Sequence, residues 1–220
     1  MATINKGILG GLSGKIGNVV GSSWNGIDVL RTLPASYTDA ATPTQVAQRY
    51  KFTTVLNFLK PLTQIVGIGY SAYAERMTSF NAAFSNTIKF AVTGISPNYT
   101  IDYPNVLLTR GNLENASNAS AASAAPATVT LTWDPTVTGY LAKDTDSVLA
   151  VVFDPMKNQA VYSLNQATRA DGTLDINVPA MFTGDTVEVY MSFSSASSAY
   201  KTPERNTLSQ SLYTGNVVVQ

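Results

Sequence analysis

The apolar residues of this chain change period once, and that change limits the architectures open to it. From Thr42 to Phe90 they recur at helical spacing; after the turn-rich stretch Gly94–Pro104 they alternate at a period close to two. Val129, Leu131 and Trp133 alternate with Thr128, Thr130 and Thr132, and Val187, Val189, Met191 and Phe193 repeat the pattern. The spacing predicts strands at Val106–Thr109, Thr128–Trp133, Ser147–Phe153, Ala160–Leu164, Thr173–Val178, Thr186–Phe193 and Gly215–Val219. Seven short strands separated by Asp-Pro, Asp-Gly and Gly-Asp turns fit an immunoglobulin- or fibronectin III-like antiparallel β-sandwich over 100–220. The Asn/Ala/Ser-rich stretch Asn112–Ala127 reads as an exposed loop, as do Ser194–Ser198 and Tyr200–Asn206.

The helical part has a marked start. Thr42, Pro43 and Gln45 form a capping-box signature with proline at the first helical position. Phe52, Val55, Leu56 and Leu59 share one face, and Pro61 then breaks the pattern. A second stripe runs Leu62, Ile65, Val66, Tyr70, Tyr73, Met77, Phe80, Phe84 and Ile88, weakened at Gly67 and Gly69. The expectation is an antiparallel helical hairpin over 42–90. Before it, Asn25-Gly26 joins two strand-like runs, Asn18–Trp24 and Ile27–Leu33, as a two-residue hairpin turn would. Neither face of that ribbon is purely polar, so it calls for a partner surface. Residues 1–35 thus read as a glycine-rich arm and β-hairpin, and the whole as an α+β chain of three parts.

Composition removes most familiar chemistry. The 220 residues contain no His and no Cys. That excludes the Ser-His-Asp triad, thiolate nucleophiles, disulfides and every His- or Cys-based metal site. Carboxylate, Lys, Tyr or Ser-Lys chemistry survives, but none of Glu75, Glu114, Glu188 and Glu204 sits in a recognisable catalytic context. Asp134, Asp144, Asp146 and Asp154 could offer oxygen ligands to Ca²⁺, yet lack the Gly and distal Glu of a calcium loop, and such residues are ordinary turn formers. Gly10–Lys15 departs from a phosphate loop, with Leu9 where a Gly is needed and Ile16 after the Lys. No catalytic, metal-binding or cofactor-binding residue is therefore assigned.

Charge points toward assembly instead. Lys+Arg and Asp+Glu balance at 14 each, and charged residues make up 13% of the chain, about half the share usual for soluble domains. Residues 1–90 carry a net +5 and residues 91–220 a net −5. Such halves attract either between subunits or within one molecule. The bases are dispersed, so nucleic acid is not an expected partner. No run is apolar enough for a membrane helix, and glycines interrupt the N-terminal patch too often for a signal peptide.

The string Gly7-Ile8-Leu9-Gly10-Gly11-Leu12-Ser13-Gly14-Lys15-Ile16-Gly17-Asn18-Val19-Val20-Gly21 resembles the opening of an uncharacterised family of Bacteroidota and their phages and mobile elements. Trp24–Arg31, Pro43-Thr44-Gln45, Met77–Ala83, Tyr162–Asn165 and Arg169-Ala170-Asp171-Gly172 continue the likeness. It carries no activity over to this chain, and its phage-like contexts imply a particle component. The expectation is a non-enzymatic structural protein made in the bacterial cytoplasm and located, as an oligomer, in a virion or similar assembled particle. It would dock on protein subunits, its own or others, through Gly10, Gly11, Gly14, Lys15, Trp24, Asn25 and Arg31. The alternative is a glycan- or surface-binding adhesion module that uses the sandwich loops.

Overall fold

The computed structural model describes residues 3–4, 11–24, 26–36, 41–137, 139–195 and 207–220. The chain divides into two compact units, Met1–Gln45 and Val46–Gln220.

The first unit is an antiparallel meander of β1 (Thr3–Ile4), β2 (Leu12–Ile16), β3 (Val19–Trp24) and β4 (Ile27–Thr32), in that spatial order. Trp24 pairs with Ile27, the two-residue register expected of the hairpin. A second tight turn was not expected. Ile16 pairs with Val19 around Gly17, whose φ of +56° suits a residue without a Cβ. The glycine-rich segment from Leu12 onward is thus a strand.

The helix α1 (Pro43–Leu59), which belongs to the second unit from Val46 on, begins as expected: Thr42 N–H donates to Gln45 Oε1 (3.0 Å) and Gln45 N–H to Thr42 Oγ1 (3.3 Å). The returning arm of the helical hairpin is broken, not continuous. It consists of α2 (Thr63–Gly69), a 3-10 turn at Ser71–Tyr73, and α3 (Ser79–Phe90) capped by Thr78 Oγ1. Gly69 explains the break. A Cβ there would collide with the Leu108 carbonyl, and Gly69 C=O accepts from Arg110 N–H at 3.1 Å. The chain ends the helix where another backbone segment crosses it.

After the hairpin of β5 (Val92–Ile95) and β6 (Asn98–Ile101) come two further antiparallel sheets. One has the order β11-β8-β7, with β7 Ser117–Ala122, β8 Thr128–Asp134 and β11 Thr173–Asn177. The other has the order β10-β9-β12-β13, with β9 Ser147–Asp154, β10 Gln159–Thr168, β12 Thr186–Ser194 and β13 Leu212–Val218. Two expectations are corrected here. Val106–Thr109 is not a strand; Leu108 N–H donates to Ser211 Oγ (2.8 Å) and Thr109 C=O accepts from Ser211 N–H, so its backbone groups are met outside a ladder. Asn112–Ala127 is not simply a loop, because β7 runs through it. Ala119 and Ala121 alternate inward against the core while Ser120 Oγ bonds Thr132 Oγ1 at 2.9 Å. Alanine gives an alternation too faint to read as a strand.

The two sheets contribute to one apolar cluster, with Val129, Leu131, Trp133 and Ile176 from one and Val148, Ala150, Val152, Val189 and Phe193 from the other. The opposite side of β9 is buried too. Leu149, Val151 and Phe153 join Val55, Phe58, Leu59, Leu62 and Ile65 of the helices in a second cluster. This corrects the expectation of a helical segment 42–90 separate from the strands: from Val46 on, helices and sheets share a core and form one unit. Among the described residues no helix is long and apolar enough to cross a membrane.

Phe153 packs edge-on against Phe58, ring centroids 5.2 Å apart. Phe153→Ala should cost about 3–5 kcal/mol, as large-to-small changes in aromatic cores do. Urea melts followed at 222 nm and by near-ultraviolet circular dichroism should shift together. Separate helix and tertiary transitions would show that the helices are not integral to this core.

Candidate functional site

The residues singled out in the sequence lie on the N-terminal sheet, with Gly10 and Asn25 outside the described residues. The described glycines differ in what they require. A Cβ on Gly11 would meet the Asp28 carboxylate at 2.5 Å, and Gly14, with φ +106°, pairs with Gly21, beneath which Leu12 backbone leaves no room for a side chain. Lys15 pairs with Val20 and Val20 with Arg31, so alternation places the two cations on one face, flanking a valine. Ser22 with Val29 and Trp24 with Ile27 extend that face. Ile16, Val19 and Leu30 belong to the other.

Both faces are open. Trp24 is 49% exposed and Leu30 65%, and Ile16, Val19, Ile27 and Val29 are exposed as well. Every residue of β4 is exposed, and the strand order puts β4 at the sheet edge. A small sheet with apolar residues exposed on both faces is a surface that other molecules can cover.

The second unit holds a polar cluster that sequence reasoning missed. Arg169 is only 1% exposed. Its Nη2 donates to Glu114 C=O (2.7 Å) and lies 3.4 Å from Asp146 Oδ2, and the guanidinium stacks 3.8 Å over the Phe193 ring. Trp133 Nε1 donates to Arg169 C=O at 2.9 Å. Burial pulls the guanidinium below its ordinary value, while Asp146 beside it opposes that pull. The sequence signal was Arg169-Ala170-Asp171-Gly172, which stood out only as part of the family likeness.

Glu114 belongs to the same neighbourhood. Burial would raise its carboxyl, but the N–H groups of Glu114, Leu141, Tyr140 and Ala142 hold it below the usual carboxylate range. A Cβ on Gly139 would strike this carboxylate, so the loop closes over it only with glycine there. Three of the four aspartates considered for Ca²⁺, Asp134, Asp146 and Asp154, are engaged locally. Asp154 Oδ1 accepts from Met156 and Lys157 N–H, Asp134 Oδ1 from Thr136 N–H, and Asp146 Oδ2 from Lys143 N–H. Among the described residues no group of three or more acidic side chains could hold a metal ion.

A third polar pairing lies on the helix-facing side of β12, where Tyr213 OH donates to the buried Glu188 at 2.6 Å and Tyr190 OH to Tyr103 C=O at 3.0 Å. Burial raises both hydroxyls, Tyr190 the further. Of the loops expected to carry a glycan site, Asn112–Ala127 contains β7 at 117–122, and 196–206 lies outside the described residues.

With this geometry in hand, the chain can be placed. Residues 11–204 match a family of unknown function (DUF6266), and the chain belongs to that family. No curated protein matches it. Among solved structures it is similar to the fn3 domain of the human collagen alpha-1(XX) chain, at 14% identity and a TM-score of 0.34, over 50% of this chain and 89% of that one.

Two outcomes follow from the buried charges. Asp146→Ala should cost about 3–5 kcal/mol by leaving Arg169 buried without its counter-charge, and pairing it with Arg169→Met should cost less than the two single changes together. Chemical denaturation of the four proteins checks this, and strict additivity would deny the coupling. Asp134 and Asp171 are also held low, chiefly by the side chain of Thr136 and the backbone of Thr168. Depressed folded values mean stability that is present above the unfolded values of 3.8 and 4.5 and lost as pH falls through the folded ones. The denaturation midpoint should therefore fall steadily on acidification below about pH 5.

Proposed function

We propose that this is a non-enzymatic structural protein that assembles with further copies of itself through the sheet β1–β4. One observation carries the reading: Trp24, Ile27 and Val29 on one face and Ile16, Val19 and Leu30 on the other are exposed in the single chain. A second copy offers the same apolar side chains. Two such faces on one sheet favour repeated contacts over a single closed pair, as a growing or ring-shaped particle requires. The edge of β4 adds unpaired backbone groups for strand addition. The net +5 of residues 1–90 and −5 of residues 91–220 support attraction between neighbours.

The second unit is the part displayed. Its strand orders β11-β8-β7 and β10-β9-β12-β13, with one apolar cluster shared between them, support a sandwich of the fibronectin III type. Membership in a virion or comparable particle, formed in a bacterial host, is the setting we assign to it. Low surface charge and the apolar sheet support that setting.

Light scattering on the full chain tests the assembly. The unmodified protein should give a mass above 23.4 kDa that rises with concentration. The triple variant Trp24→Ser, Val29→Thr, Leu30→Ser should move toward monomer, because each large apolar side chain buried is worth about 1.5–3 kcal/mol. Monomers in both would overturn self-assembly through this sheet.

A further inference from the structure

A groove in the second unit, of about 380 Å³, opens between α3, the segment 104–110 and Gln210. Its volume is within the range of small-ligand sites. It is walled by Asn86, Phe90, Pro104, Asn105, Leu107, Arg110 and Gln210. Three of these are amides, a group that carries both donors and an acceptor. Asn105 Nδ2 is fixed by donating to Asp102 Oδ2 at 2.8 Å, and Asn86 Oδ1 is buried with no hydrogen-bond partner among the described residues. Phe90 is 68% exposed, an unusual position for a phenylalanine at a helix end, and lies four residues beyond Asn86 on the same helical face. Arg110 stacks 4.4 Å over the Tyr73 ring, which holds its planar fork of donors in place.

We infer that this groove binds a saccharide bearing a carboxylate. The amides match vicinal hydroxyls, Phe90 matches the apolar C–H face of a pyranose ring, and Arg110 matches the carboxylate in bidentate fashion. None of the side chains that wall the groove is acidic. Three amides and Arg110 share the wall with Phe90, Pro104 and Leu107. This inference is independent of assembly through β1–β4, since none of its residues lies in that unit.

Titration calorimetry of the full chain with trigalacturonate, and with its methyl ester, provides the test. Trigalacturonate should bind saturably, and Arg110→Met and Phe90→Ala should each weaken it about tenfold, ~1.4 kcal/mol. The ester should bind more weakly than the acid, while Arg110→Lys should recover part of the loss. Both substituted residues are exposed, and unchanged thermal melts would show that the variants remain folded. Three results overturn the proposal: no saturable binding, binding indifferent to both variants, or a peptide with a free C-terminal carboxylate binding more tightly than the saccharide.

Discussion

The second unit depends on β9 being buried on both of its faces. Val148, Ala150 and Val152 face one apolar cluster, and Leu149, Val151 and Phe153 the other. A strand in that position cannot alternate apolar with polar residues, and its sequence is accordingly a nearly continuous apolar run. The same condition extends to β12, where Val187, Val189 and Met191 lie in the first cluster and Tyr190 in the second. Remove the helices and the second side of this sheet is left as a large apolar surface in water, so they are a layer of the fold.

Burying polar groups inside such layers demands partners, and they are supplied in sets. Arg169 lies beneath Phe193 and beside Asp146, and its backbone carbonyl takes the Trp133 indole N–H. This single residue therefore connects β8, β12 and the loop before β9. A buried ion pair contributes little net stability against an apolar substitute, but breaking one half is expensive. Its effect is to fix the relative placement of three elements. Glu188 with Tyr213, and Tyr190 with the Tyr103 carbonyl, satisfy the polar groups of the helix-facing layer.

Much of the second unit was legible because its strands alternate strongly. Val129-Thr130-Leu131-Thr132-Trp133 and Val187–Phe193 gave their strands to within a residue or two. The Thr42–Gln45 cap and the Asn25-Gly26 turn were equally readable, since each rests on local chemistry. The misses share one cause: the deciding contact comes from elsewhere in the chain. Gly69 ends α2 because Leu108 crosses it, the Ala-rich β7 is a strand because β8 pairs with it, and Val106–Thr109 leaves the ladder because Ser211 meets its backbone. The site was legible only in part. Trp24 and Arg31 could be picked from the hairpin, whereas the buried role of Arg169 depends on Phe193 and Asp146, far from it in sequence.

The two units solve the same problem in opposite ways. From Val46 onward, both sides of the central strands are covered by the chain itself. In β1–β4, Gly21 lets the Leu12 backbone approach closely, glycines leave few side chains to build a core, and the larger apolar groups stand exposed. A four-stranded sheet of that composition gains little from its own packing, because sheets stabilise through covered apolar faces. A surface outside the sheet would add to its stability by covering these groups. Covering Trp24 and Leu30 on opposite faces takes two separate contacts, and a chain that presents the same two faces on every copy can supply both. Under the proposed self-assembly, folding of the N-terminal sheet and growth of the assembly would be one process, governed by concentration.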